Sequence, residues 1–141
     1  MDETLFRAKA INRDIGFHRT SYKNGDWVYG LITRLYDERF EVIPAEMRDI
    51  NGVNGIEVDH KTFGQYTGTP DKNKNKIFEC DIVKAFKHNE EPFVAVVTKR
   101  NGCFWFGNWN WCEFLDKFRN YEVIGNVFDN PELVKGGEQG G

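Results

Sequence analysis

The stretch GQYTGTPDKNKNKIFECDIVK, residues 64–84, places a charged turn between two extended segments. In the turn, residues 69–76, Pro70 presets φ, while Asp71 and two asparagines favour turn geometry. The segment that follows, residues 77–86, is rich in β-branched and aromatic residues, as strands are. The stretch therefore predicts strand, turn and strand, and it raises the expectation of a mainly β chain.

The segments before this stretch also carry strand signals. Residues 5–11 alternate, and we expect their small apolar face to point inward. That face consists of Phe6, Ala8 and Ala10. Residues 40–44 read as a short strand that Pro44 ends, and residues 45–60 contain two Asn-Gly turn signals typical of a hairpin or a loop.

Residues 27–36 predict a half-buried strand with two different faces. Trp27, Tyr29 and Leu31 share one face, and Val28 and Ile32 share the other. A glycine within a strand indicates close packing by a neighbour or a bulge, and Gly30 occupies such a position.

The C-terminal half contains the strongest pattern. Residues 93–100 predict a strand with Phe93, Ala95 and Val97 facing inward, and Asn101-Gly102 predicts a tight hairpin into 103–109. Residues 121–128 predict a final strand.

One short helix is expected near residues 111–119. Its apolar face would consist of Trp111, Phe114, Leu115 and Phe118. Asn110 and Glu113 form a pair resembling a capping box at its start, and Asn120 is a plausible stop.

Several short strands with one brief helix indicate a small barrel or a barrel-like sandwich. The 141 residues suit one folded unit over 1–130, with an N-terminal β subdomain (1–69) and a second part (70–130). Residues 131–141 include GGEQGG, the composition of a flexible tail.

Composition excludes several classes of protein. No apolar run approaches the roughly 20 residues of a membrane helix, and no secretory signal is recognised at the start. Cys80, Cys103 and Cys112 are odd in number without CxxC spacing, which favours a reducing cytoplasm. The net charge of −3 argues against a surface built throughout for nucleic acid, although one local basic patch remains compatible with it.

Four segments in order resemble the YopX family of phage and prophage proteins. They are FRAK (6–9), WVYG (27–30), TFGQYTGTPDKNKNKIFECDIVK (62–84) and EVIGNVFDNPEL (122–133). The family pattern usually has Tyr at Phe78, and Gly at Lys74 and at Cys80. We therefore expect a longer or different turn at Lys74, and no need for positive φ at Cys80.

The resemblance implies an all-β fold whose C-terminal part is similar to an SH3-like barrel, in a protein acting in the cytoplasm of a bacterial host cell. It implies no enzymatic activity, no cofactor and no small-molecule substrate. Small barrels host unrelated functions, so the fold does not supply an activity.

Two carboxylates are the weak candidates for a metal site. Glu79 and Asp81 lie two apart on a predicted strand, so they would project to one face and hold a cation or act as acid and base. The alternative is a solvated strand face with Asp81 capping backbone amides of the neighbouring turn, and we prefer it because no third ligand lies nearby in sequence.

Histidines and cysteines offer a weaker metal hypothesis. His18, His60 and His88 lie in polar surroundings and would need cysteines at spacings that match no common zinc knuckle. A role as small buried apolar residues is the expectation for the cysteines.

Aromatic residues in 103–114 are the candidates for binding. Trp105 and Trp109 are the ones that periodicity does not bury, and they would grip a protein or stack on bases. Core packing is the competing interpretation of the whole aromatic set. The loop lysines Lys72, Lys74 and Lys76 would supply contacts to phosphates, although interleaved carboxylates weaken their field.

Three hypotheses follow. The first is a non-enzymatic phage or prophage accessory protein that binds another macromolecule or itself through Trp105, Trp109 and the loop 71–76. The second is a nucleic-acid binder that uses the same tryptophans with Lys72, Lys74 and Lys76. The third, which has the least support, is a small metal-dependent enzyme built on Glu79, Asp81 and a histidine.

Overall fold

The chain folds mainly into β-strands. A computed structural model describes residues 5–12, 22–39 and 42–134. Within these residues, ten strands are accompanied by one α-helix and one short 3₁₀ helix. The predicted mainly β class with one short helix is therefore confirmed. The chain divides into two compact units, Met1–Gln65 and Tyr66–Gly141, and the sequence had suggested a boundary after residue 69.

The first unit is a sheet in which the first strand pairs with both the second and the fourth strand. Its strands are β1 (Phe6–Ala10), β2 (Trp27–Arg34), β3 (Ala45–Asp49) and the first part of β4 (Ile56–Pro70). All pairings are antiparallel: β1 pairs with β2, β2 with β3, β3 with β4, and β4 again with β1. The core consists of Ala8, Ala10, Val28, Ala45, Met47, Ile56 and Val58. The predicted inward face of residues 5–11 and the hairpin within 45–60 are confirmed.

Gly30 allows β3 to approach β2 closely. A Cβ atom built on this glycine would lie 1.9 Å from the backbone oxygen of Arg48 and 2.8 Å from Cα of Asp49. No side chain fits there, so the close packing predicted from a glycine within a strand is confirmed.

The second unit is an open sheet covered by a helix. Its elements are β5 (Lys76–Phe78), β6 (Asp81–Lys87), β7 (Phe93–Arg100), β8 (Cys103–Phe106), β9 (Trp109–Asn110), α1 (Trp111–Lys117) and β10 (Phe118–Asn126). The strands lie in the order β10-β6-β7-β8-β9, and β5 pairs with the end of β4. The core consists of Ile77, Val83, Ala85, Ala95, Val97, Phe106, Phe114 and Phe118. Ala95 and Val97 are fully buried, and Phe93 packs against this core, as the alternation predicts.

The helix begins as predicted but ends earlier. The side-chain oxygen of Asn110 accepts a hydrogen bond of 2.9 Å from the backbone N–H of Glu113, which caps the first turn. The helix ends at Lys117, and Asn120 instead adopts φ 56° inside β10. Leu115, predicted on the buried face, is 39% exposed, because successive helical residues are rotated by about 100° and the adjacent Phe114 is the one that faces the core.

Two non-glycine residues with positive φ correct the sequence analysis. The predicted strand 77–86 is interrupted, because Cys80 adopts φ 76° in a turn between β5 and β6. The expectation that this position needs no positive φ is therefore wrong. Lys74 adopts φ 69° in the turn at 71–75, the left-handed conformation that glycine adopts most readily, and the expected difference in turn length or type stays a prediction.

Two predicted segments are only partly described. In the predicted strand 40–44, residues 40 and 41 lie outside the described residues, while Ile43 forms an isolated bridge with Asp37. In the predicted tail, Pro131–Leu133 form the 3₁₀ helix, and residues 135–141 lie outside the described part. No helix in the part of the chain that is described has the length and apolar character needed to cross a membrane.

Candidate functional site

Trp105 lies on the outer face of β8, opposite the buried Phe106. It is half-buried, and the Arg100 guanidinium lies 4.3 Å from the centre of its ring. A cation at this distance is attracted to the ring face. Its indole nitrogen is buried without a hydrogen-bond acceptor among the described residues. One face of the ring is therefore already used within the fold.

Trp109 belongs to the edge of the core. Its ring meets Phe118 edge-on, with 5.5 Å between the ring centres, and the Lys87 ammonium lies 4.6 Å from its centre. Its indole nitrogen is also buried and has no acceptor in the described part of the chain. Trp109 thus contributes to packing of the second unit, in agreement with the competing core interpretation.

The loop lysines are directed to other partners. The Lys72 ammonium lies 3.7 Å from a Glu122 carboxylate oxygen, and the Lys76 ammonium lies 5.3 Å from the centre of the Tyr66 ring. Lys74 is exposed. The contacts of these lysines are with Glu122 and Tyr66, whereas those of the tryptophans are with Arg100, Lys87 and Phe118. The structure therefore does not join the predicted lysines and tryptophans by direct contacts.

Glu79 and Asp81 do not share a strand face. Asp81 is 1% exposed, and its Oδ2 accepts a hydrogen bond of 2.7 Å from the backbone N–H of Phe78. Glu79 lies in the turn that contains Cys80. The predicted same-face pair is wrong because the strand is interrupted, and Asp81 has the alternative role of capping a neighbouring backbone amide.

The histidines and cysteines do not converge in the part of the chain that is described. Among those residues, no group of three histidine, cysteine or acidic side chains is placed to hold a metal ion. His60 stacks on Tyr36 at 3.9 Å, His88 is exposed, and His18 lies outside the described residues. Cys103 and Cys112 are exposed thiols, which corrects the expectation that the cysteines are buried.

An exposed apolar surface lies on the first unit. Tyr29 and Leu31 alternate with the inward-facing Val28 on β2, and Ile50 directly follows β3. The backbone N–H of Ile50 donates a 2.9 Å hydrogen bond to the carbonyl of Tyr29, which fixes Ile50 beside β2. Tyr29 is 36% exposed, Leu31 50% and Ile50 70%. We call these three residues the β2–β3 apolar surface.

A shallow depression of about 530 Å³ adjoins the β2–β3 apolar surface. Its walls are Leu5, Gly30, Leu31, Arg48, Asp49, Ile50, Asn51 and Gly52. Its lining includes Gly30, where the backbones of β2 and β3 approach closely. The lining combines apolar side chains with polar groups, a combination suited to recognising a protein surface.

The turn after β3 holds Ile50 in place through Asp49. Asp49 is 6% exposed, and its Oδ1 accepts hydrogen bonds from the backbone N–H groups of Asn51 (2.9 Å) and Val53 (2.8 Å). Its Oδ2 accepts a 2.9 Å hydrogen bond from the Tyr22 hydroxyl. The surface is therefore carried by a turn with satisfied polar groups.

These hydrogen bonds shift two pKa values. Burial alone would raise the pKa of Asp49, but the hydrogen bonds from Val53, Tyr22 and Asn51 outweigh it, so this pKa lies below its usual value. Burial, together with the hydrogen bond to Asp49, raises the pKa of Tyr22 to about 12. Asp49 therefore remains ionised and Tyr22 remains protonated at neutral pH.

Sequence analysis did not select the β2–β3 apolar surface. It placed Tyr29 and Leu31 on one strand face, but a half-buried strand has no marker for which face remains exposed. Ile50 lies in a segment with little periodicity, so only the structure places it beside them. The available signal was that both faces of residues 27–32 are apolar, although a sheet exposed on one side needs only one apolar face.

Comparisons with known proteins concern both sequence and fold. A family model described as YopX protein matches residues 12–135. The solved structures that the chain is similar to include the crystal structure of protein EF1440 from Enterococcus faecalis. That similarity has a TM-score of 0.56 at 22% identity, and it covers 94% of this chain and 98% of that chain. At this identity the likeness concerns the fold. No match was found among curated proteins.

Proposed function

The chain belongs to the YopX family, as its motifs predict, and from this premise we propose that it is a phage or prophage accessory protein. It acts in the cytoplasm of the bacterial host by binding another protein, including a second copy of itself, and it carries out no catalysis. The β2–β3 apolar surface is the main contact, and the observation that carries the proposal is the exposure of Leu31 and Ile50 side by side.

Burial of these side chains supplies the driving force for binding. Removal of apolar surface from water contributes about 25 cal/mol per Å², and the part that exceeds the entropic cost of association appears as affinity. Single exposed apolar residues are ordinary, but neighbouring ones around a depression mark interaction sites. Asp49 and the hydrogen bond from Ile50 to Tyr29 hold this region in place. Binding of a partner therefore does not include the entropic cost of ordering a loop.

The proposal includes an SH3-like arrangement for the second unit. Strands β6, β7, β8 and β9 form a meander, α1 follows, and β10 returns to pair with β6. This order supports the SH3-like architecture that the family resemblance implies. In the proposed function, the second unit is a scaffold, and Trp105 contributes a secondary contact at most, through the ring face opposite Arg100.

The nucleic-acid alternative through Trp105, Trp109 and the loop lysines receives less support. Trp109 packs edge-on against Phe118 and also has the Lys87 ammonium over its ring, so little of that ring remains open for a base. Lys72 and Lys76 contact Glu122 and Tyr66, and in the described part of the chain neither contacts a tryptophan, so direct contacts do not join the phosphate-binding and stacking groups of this alternative. The metal-dependent alternative is weakened because Asp81 is buried and hydrogen-bonded to the backbone.

The test is a comparison of two matched surface variants. Leu31→Ser with Ile50→Ser removes the apolar surface, and Leu35→Ser with Val42→Ser removes two other exposed apolar side chains of the same unit. Light scattering over a range of concentrations measures self-association, and affinity capture from infected cells measures binding of a partner. We expect both variants to fold and only the first to lose association. Association that is unchanged in the first variant would contradict the proposal.

A further inference from the structure

A second surface lies in the other unit, where β6 ends, α1 ends and β10 begins. A depression of about 420 Å³ is found there, which we call the α1 groove. It is lined by Phe86, Lys87, His88, Asp116, Lys117, Arg119 and Asn120. These residues come from two segments about thirty positions apart, so the groove exists only in the folded unit.

The α1 groove is positively charged in a chain whose net charge is negative. Lys87, Lys117 and Arg119 carry permanent positive charges, and Asp116 is the one carboxylate in the lining. The whole chain has a net charge of −3, so the groove is a local reversal of sign that favours an anionic ligand.

Arg119 binds carbonyl groups at the end of α1, whereas Lys117 does not take part in these hydrogen bonds. Arg119 Nη1 donates hydrogen bonds to the carbonyls of Phe118 (2.8 Å) and Asp116 (2.9 Å), which satisfies carbonyls left open at the end of α1. These bonds fix the guanidinium at the rim of the groove. Lys117 is exposed and, among the described residues, has no ion-pair partner, so its charge remains available to a ligand.

The other basic side chain is held against an aromatic ring. The Lys87 ammonium lies 4.6 Å from the centre of the Trp109 ring. It also lies 3.7 Å from a carboxylate oxygen of Glu90, whose side chain is half exposed. An ion pair of this length at the protein surface contributes little stability, so a phosphate would compete with Glu90 for Lys87 at little cost. The Lys87 ammonium is therefore positioned in advance beside the groove.

The remaining lining residues favour one class of anion. Phe86 presents a half-buried ring, with Lys84 lying 5.8 Å from its centre, and Asn120 and His88 add exposed hydrogen-bonding groups. Grooves for single-stranded nucleic acid combine cations that follow the backbone with an aromatic ring for a base. Acidic side chains would use the cations but cannot stack on the ring as a base does.

We propose that the α1 groove binds the phosphate backbone of a single-stranded nucleic acid, with Lys87, Lys117 and Arg119 contacting phosphates and Phe86 contacting a base. This inference goes beyond the proposed protein contact and does not depend on it, because the two surfaces share no residue. It also differs from the prediction made at the loop 71–76, because the cations come from β6, α1 and β10.

The test measures fluorescence anisotropy of a labelled oligothymidylate with the full chain at several salt concentrations. The logarithm of the binding constant falls by about 0.7 per neutralised phosphate for each unit in the logarithm of salt concentration. Three contacts therefore predict a slope of about −2. We expect Lys87→Gln with Lys117→Gln to weaken binding and to reduce that slope by about 1.4.

Lys72→Gln with Lys74→Gln is the matched control, since it removes the same charge from the loop of the same unit. We expect this control to bind as the unchanged chain does. Lys117→Gln alone, at an exposed position, gives a variant whose folding is not in question, and it should reduce the slope by about 0.7. Melting curves verify that each variant is folded.

Three outcomes would overturn the proposal. They are no binding by the unchanged chain, equal loss in the loop control, and competition by polyglutamate that is as effective as competition by unlabelled oligothymidylate. The last outcome would identify the groove as a site for acidic protein segments. The proposal is supported if the groove variants bind more weakly, the loop control binds as the unchanged chain does, and polyglutamate competes less effectively than unlabelled oligothymidylate.

Discussion

The chain builds the same turn twice, once in each unit, from different residues. In residues 49–53 (DINGV) and 71–75 (DKNKN), an aspartate begins a three-residue hairpin loop. In both, the aspartate N–H bonds the carbonyl four residues later, and its carbonyl accepts from the N–H three residues later. In both, Oδ1 accepts from the N–H groups two and four residues later.

Two positions distinguish the turns. The fourth residue adopts positive φ in each, 90° at Gly52 and 69° at Lys74. The second carboxylate oxygen binds a side chain in one turn, the Tyr22 hydroxyl, and a backbone group in the other, the N–H of Val123. The hydrogen bonds of the aspartate are common to both turns and therefore specify this conformation. Glycine lowers the energetic cost of the positive φ at the fourth position, but it is not required there.

Loss of the aspartate should have the largest effect in both turns. Asp49 and Asp71 are 6% and 5% exposed, and each accepts three hydrogen bonds through its side chain. We expect Asp49→Ala and Asp71→Ala to lower the free energy of unfolding by about 3 kcal/mol each. Urea unfolding measures this, and a loss below about 1 kcal/mol in either variant would break the equivalence of the turns.

Replacement by asparagine should separate the two turns. In Asp49→Asn, the Tyr22 hydroxyl can rotate and accept from the new amide, so we expect a loss of about 1 kcal/mol. In Asp71→Asn, the Val123 N–H is a fixed donor and would face an amide N–H if Oδ1 keeps its partners, so we expect about 2 kcal/mol. Equal losses, measured by the same urea unfolding, would show that the second oxygen does not distinguish the turns.

Exchange at the fourth position should have smaller, opposite effects. Lys74→Gly relieves a left-handed conformation and should raise the free energy of unfolding by about 1 kcal/mol, and Gly52→Lys should lower it by a similar amount. The nearest atom to a Cβ at Gly52 is Arg48 Nη2 at 4.0 Å, so backbone strain and not a clash causes the loss. Lys74→Ala, which keeps the strain and removes the charge, is the control and should be nearly neutral.

The last comparison concerns the pH dependence of the first turn. The folded-state pKa of Tyr22 is raised from 10.0 to about 12, so its contribution to stability is complete below pH 10 and is lost between pH 10 and 12. The pKa of Asp49 is lowered, so its contribution is present at neutral pH and is lost as the pH falls through that lowered value.

Tyr22→Phe isolates the alkaline component. Thermal unfolding from pH 8 to 12 should show a steeper decline in the unchanged chain than in Tyr22→Phe. In the turn at 71–75, Oδ2 of Asp71 accepts from the backbone N–H of Val123, which does not titrate in this range. This hydrogen bond therefore adds no alkaline dependence to the stability. An identical decline in both chains would mean that the Tyr22 hydrogen bond does not act on stability.

Sequence alone predicted the elements that local chemistry specifies. The hairpin at Asn101-Gly102, the cap by Asn110 and the close approach at Gly30 each follow from one or two residues. The break at Cys80 was missed because positive φ at a cysteine has no local marker; its N–H donates to the carbonyl of Val97, a contact across the sheet.

The candidate surfaces were harder to predict than the fold. Trp105 and Trp109 were chosen because periodicity does not bury them, but cation contacts made in the folded unit reduce their free faces. The α1 groove joins residues 86–88 to 116–120, and the β2–β3 apolar surface joins β2 to the turn after β3. Such sites depend on tertiary neighbours, so periodicity within one segment does not reveal them.

The two equivalent turns permit a direct test of the central claim, that the β2–β3 apolar surface is the contact for a partner protein. Hydrogen–deuterium exchange is measured on the chain free and in its complex, with the amides of 71–75 as an internal reference for those of 49–53. We predict slower exchange in the complex at 50–53 and at 29–31, and no change at 71–75. Slower exchange at 71–75, or none at 50–53, would contradict the claim.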